Sequence, residues 1–140
     1  MELGLDTRLT VLAAGLIFLW ALVLGVWKYR RMSASETGLA HPYVDIAHRA
    51  ALLYSFATLL LAVFVELSAW ATAVNLIAAG VVVAFFVIAI ATYVMHGLRE
   101  DTDNQFRHPT GSMHAGMLAL IVGEIGGFAV LLVGFVVEQF

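Results

Sequence analysis

The chain has no cysteine, only two prolines and little charge: Asp, Glu, Lys and Arg make up 12% of its 140 residues. Without cysteine there are no disulfides, thiolate metal sites, iron–sulfur clusters or covalent haem attachments. Soluble proteins carry about 25% charged residues, so this content argues against a water-soluble globule. Also missing are a G-x-x-x-x-G-K-[ST] phosphate loop, a G-x-S-x-G elbow, H-E-x-x-H or EF-hand spacing, and any basic–aromatic stripe for nucleic acid. The opening MELGLDTR lacks a basic n-region, so the first apolar run is expected to be retained as a helix rather than removed as a signal peptide.

What the chain does have is apolar sequence: 62% of residues are hydrophobic and the mean hydropathy is +0.96. The runs of about 20 apolar residues match the hydrocarbon thickness of a bilayer. They predict an all-α, four-transmembrane-helix bundle occupying residues 1–140 as one domain, with spans at about 9–27, 47–65, 73–95 and 113–137. Pro42 fits the first turn of the second helix, where its missing N–H is not needed. Lys28, Arg30, Arg31, Arg49, Arg99 and Arg107 fall at one end of such a bundle and only Arg8 at the other. The positive-inside rule then places the first end in the cytoplasm and both termini outside a plasma (inner) membrane.

All five histidines gather at that same basic end: His41, His48, His96, His108 and His114. His48 lies one turn into the second helix, where an imidazole is a ready axial ligand for haem b. Asp45, on the same helix face, is a candidate acceptor for its other ring nitrogen. Arg49, Lys28, Arg30 and Arg31 are candidate partners for haem propionates. The bland alternative is an interfacial histidine bonded to headgroups or loop carbonyls. Tyr93 and His96 are i, i+3 neighbours. Tyr93 reads either as an aromatic-belt anchor or as an O–H donor aimed into the bundle. His96 reads as a second axial ligand or as a headgroup-facing residue. Glu124, in the middle of the fourth span, is expected to face the bundle, protonated or paired. The loop bearing Glu100, Asp101, Asp103 and His108 is expected to be a solvated turn rather than a divalent-metal site. Gly116, Gly123, Gly127 and Gly134 form one stripe, which serves packing within the chain or a subunit interface.

Taken in order, Gly15 to Trp27, AHRAALLYSFATLLLAVFV (Ala47 to Val65), ATYVMHG (Ala91 to Gly97) and NQF (Asn104 to Phe106) resemble the membrane-bound styrene oxide isomerases. These are four-helix proteins that bind haem b and convert aryl epoxides to aldehydes, with the ferric iron acting as a Lewis acid. The resemblance implies that His48 ligates the haem iron and that Tyr93 is the active-site tyrosine. The family's asparagine six residues after its ligand is replaced here by Tyr54, which would share the work of orienting the epoxide oxygen. It further implies a small hydrophobic substrate taken from the bilayer and a homo-oligomer, with a trimer favoured. Two other functions fit the residues: a bis-His electron-transfer cytochrome using His48 with His96 or His114, and a non-catalytic accessory subunit packed through the glycine stripe.

Overall fold

The computed structural model describes residues 2–140 as four helices: α1 (Leu5–Ser33), α2 (Pro42–Glu66), α3 (Thr72–Arg99) and α4 (Gly111–Gln139). Each contains the span expected from hydropathy, and each is long and apolar enough to cross a membrane. The chain is therefore a multi-pass, all-α membrane protein. At 1.5 Å per residue, helices of 25–29 residues outrun a hydrocarbon core of about 30 Å. Their ends stand in the interface, and α1 carries its Lys28–Arg31 cluster out on its last turns.

Local sequence sets where the helices start and stop. His41 caps α2: its Nδ1 accepts a hydrogen bond from the Tyr43 N–H at 3.3 Å, and Pro42 follows in the first turn. The Thr110 hydroxyl caps α4 by accepting from Met113 N–H at 3.3 Å. Glu100 ends α3 in a left-handed conformation (φ 50°), and the Arg31 guanidinium at the end of α1 donates to its carboxylate at 3.2 Å.

The helices run up-down-up-down. α1 packs most extensively on α2, while α4 packs on α3 and α2 and, among the described residues, does not reach α1. In lipid, helices associate through close packing and polar contacts rather than through a hydrophobic drive. Accordingly, Ala21, Ala47 and Ala51 are fully buried where α1 meets α2. A second cluster joins α2, α3 and α4 through Leu61, Val65, Ala78, Val82, Phe86 and Leu131.

The glycine stripe of α4 packs within the chain. A Cβ on Gly127 would lie 2.7 Å from Val82 Cγ2 and 2.8 Å from the Ala78 carbonyl oxygen. Gly123 is closed by Phe85, and Gly134 by Ser68 and Trp70; only Gly116 faces open space. Of the two roles open to the stripe, close packing within the chain is the one its C-terminal half fulfils.

The end of the bundle away from the basic cluster is tied by a polar network that hydropathy alone did not reveal. Asn75 Nδ2 donates to Asp6 Oδ2 at 3.0 Å, and the Thr7 hydroxyl donates to Glu66 at 2.6 Å. Asp6, Thr7, Thr10 and Asn75 are all buried. These bonds link the starts of α1 and α3 to the end of α2.

Candidate functional site

His48 sits where α2 packs against Ala21 and Gly25 of α1. Its Nδ1 is 3.0 Å from the Ala21 carbonyl oxygen. A carbonyl only accepts, so Nδ1 carries the proton, and in the neutral ring the Nε2 lone pair is left free. The ring lies over Gly25, where a Cβ would come within 2.9 Å of His48 Cε1 and 3.3 Å of Nδ1. Gly25 therefore leaves the space the imidazole fills. Backbone carbonyls commonly orient a metal-binding imidazole in this way.

The Asp45 expectation is corrected by this geometry. Asp45 does not orient His48; its carboxylate is held by Lys28 Nζ at 2.5 Å and by Arg49 Nη2 at 2.9 Å. Two cations on one carboxylate outcompete an imidazole, and the ring turns instead to α1. Arg49 remains largely exposed beyond that pair and is the more available of the two for an anionic group.

The α1–α2 seam continues away from His48 as an open cleft of about 240 Å³, lined by Val11, Ala14, Gly15, Phe18, Ser55, Phe56 and Leu59. Ser55 and Leu59 are seven and eleven residues beyond His48, on the same face of α2. Phe18 and Phe56 flank it, with ring centroids 5.9 Å apart. Cofactor pockets typically enclose about 300–1,000 Å³. The seam of one chain thus offers a ligand and one apolar wall, and a haem would need a second wall from lipid or another copy. Within that limit the residues present fit haem b: an anchored imidazole, a glycine cradle, an apolar seam and a basic rim.

Tyr54 and Tyr93 come together, but not with His48. They line a cleft of about 260 Å³ with Ile46, Arg49, Ala50 and Leu53, on the side of α2 turned away from α1. Tyr54 stacks on Phe86 at 4.3 Å. Arg49 is the one expected residue that reaches this cleft from the His48 turn. One chain therefore presents His48 and the Tyr54–Tyr93 cleft on opposite faces of the same helix.

The other histidines have separate tasks. His41 is a cap. His96 Nδ1 lies 2.8 Å from Asp101 Oδ1, and its ring packs 5.1 Å from that of Tyr43. The imidazole beside Asp101 holds that carboxyl below the usual carboxylate range through this hydrogen bond. His108 and His114 are exposed. Among the described residues no three His, Asp or Glu side chains gather as a metal site.

Tyr43 is the residue that sequence reasoning missed. It is buried, packs against Tyr93 with centroids 6.0 Å apart, and its hydroxyl accepts from Gln105 N–H at 2.8 Å. The Asn-Gln-Phe segment is thereby docked onto the bundle, with Asn104 Oδ1 accepting from Phe106 N–H at 2.9 Å. The only hint was an aromatic immediately after the His41-Pro42 helix start. No family model matches this chain, and no curated protein or solved structure matches it either.

Proposed function

We propose that the chain is a haem-b-binding membrane protein with the residues of an epoxide isomerase, assembled as a homo-oligomer. The observation that carries this reading is His48: its Nδ1 is committed to the Ala21 carbonyl over Gly25, which holds the ring in one orientation and leaves Nε2 for a ligand. Ferric haem held there would supply a Lewis-acidic iron. Arg49 would meet a propionate at the basic rim.

Tyr93 and Tyr54 line the cleft on the opposite face of α2, so in this reading they act on the cofactor of a neighbouring copy. Their hydroxyls would orient an epoxide oxygen and donate to it as negative charge develops. The apolar walls of the cleft keep water from intercepting an electron-poor carbon. The requirement for a second wall at the seam and the separation of His48 from the Tyr54–Tyr93 cleft both favour an oligomer, and a closed trimer satisfies both with one repeated contact. Six of the seven basic residues at one end support a cytoplasmic placement of that end in the plasma membrane, with both termini outside.

The test is an absorption spectrum of detergent-purified protein produced with ample haem precursor. A Soret band that is lost or shifted in His48→Ala supports the reading, and colourless wild-type protein overturns it. A six-coordinate low-spin spectrum that ignores small axial ligands would instead mark an electron-transfer cytochrome.

A further inference from the structure

Glu124 takes no part in the function proposed above. It stands in the middle of α4, yet its Oε1 is buried without a hydrogen-bond partner. It borders a crevice of about 180 Å³ between three helices, lined by Ala57, Leu60 and Leu61 of α2, Val82 and Phe86 of α3, and Phe128 of α4. No Lys, Arg or His lines this space. Of the titratable groups on the helices packed against it, Tyr54 on α2 and Tyr93 on α3 lie nearby, and neither bonds to it. The crevice borders the Tyr54–Phe86 stack and is open on its lipid side, since Leu60 is exposed.

An ionised carboxylate in such a place is costly, and two states relieve the cost: a proton on the oxygen, or a cation beside it. The rest of the lining selects the kind of cation. A hydrated metal ion would need further oxygen ligands, and Glu124 is the only oxygen-bearing side chain in the lining. Apolar walls and the rings of Phe86 and Phe128 suit an organic ammonium, whose substituents prefer hydrocarbon and whose charge is attracted to aromatic faces.

We propose that the Glu124 crevice binds a lipophilic organic ammonium ion that enters from the bilayer and exchanges with a proton on the Glu124 carboxyl. The exchange balances: the O–H bond of the acid breaks, the proton leaves to water, and one monovalent cation takes its place. The net charge of the crevice stays at zero throughout.

The experiment uses the whole chain in phosphatidylcholine nanodiscs, with benzyltrimethylammonium as the probe and neopentylbenzene as its uncharged isostere. At about pH 8 the wild type is expected to take up one probe per chain, and the affinity should fall roughly tenfold per pH unit once Glu124 is protonated. Glu124→Gln should weaken binding on the order of thirtyfold or more, the usual cost of removing one partner of a buried charge pair. Ala57→Phe, which fills the crevice and keeps the carboxyl, should also lose the probe while retaining the helical circular dichroism of the wild type. His48→Ala should bind the probe normally, and Glu124→Gln should keep its haem content, so failure here is separable from failure of the haem reading. Binding by Glu124→Gln or Ala57→Phe at wild-type affinity overturns the proposal. So does equal binding of neopentylbenzene, or no uptake by the wild type.

Discussion

At the residue scale, the chemistry of His48 depends on a glycine on another helix. A methyl group at Gly25 would press on the imidazole at 2.9 Å, and the ring is the part that can yield. Gly25→Ala is therefore expected to break the bond to Ala21, at a cost of about 1 kcal/mol. It should also loosen haem retention, read as a lower Soret-to-protein absorbance ratio with the helical content unchanged. Asp101 offers a second residue-level test. Its carboxyl is held below the usual range by His96, so the contribution of this pair is complete above the ordinary value of about 3.9 and lost as pH falls through the lower native value. In His96→Ala the Asp101 carboxyl should titrate close to that ordinary value, as followed by carboxyl carbon NMR shifts.

At the scale of the element, α4 is the least committed helix. Leu131 and Gly134 are its only buried residues, and Gly111–Val122 is exposed apart from Met113 and Leu120. Its C-terminal half is fastened by backbone contact: Ala69 N–H donates to the Gly134 carbonyl at 3.0 Å, and Trp70 Nε1 donates to the Val130 carbonyl at 2.8 Å. Gly127 is what lets that half approach α3, because a Cβ there meets the Ala78 backbone, which cannot step aside. Gly127→Ala should therefore destabilise the fold by about 1–3 kcal/mol, the range for overpacking. Gly126→Ala, with nothing within 4 Å, should be neutral or gain about 0.5–1 kcal/mol from helix propensity. Unfolding titrations in mixed micelles compare the two. Equal effects would remove the packing role given to Gly127.

At the scale of the whole molecule, the absence of cysteine makes topology directly measurable. Glu2 and Glu36 are both exposed, at opposite ends of the bundle. In intact cells a membrane-impermeant maleimide should label Glu2→Cys, and should label Glu36→Cys only after permeabilisation. The reverse pattern would invert the orientation. The two ends are also held differently. The basic end relies on ion pairs such as Lys28–Asp45 and Arg31–Glu100, which are partly exposed and screened by salt. The far end relies on the buried Asp6–Asn75 and Thr7–Glu66 bonds. Separation of the helices under stress is expected to begin at the basic end, where the candidate site lies.

By itself the sequence determined the four helices, their approximate spans, their alternation and the gathering of histidine and basic residues at one end. These follow from hydropathy run length, charge position and capping residues, which act locally along the chain. Only the tertiary structure decided what each side chain meets. Helical periodicity placed Asp45 and His48 on one face, but it carried no information about Lys28, Arg49 and the Ala21 carbonyl competing for them. It likewise left two roles for the α4 glycines, and only the structure shows Gly123 and Gly127 packed against Phe85, Val82 and Ala78 of the same chain. The separation of His48 from Tyr54 and Tyr93 was not legible either, because it depends on which neighbour each face of α2 packs against. That choice is made by close fit between helices, and a single chain read in order does not contain it.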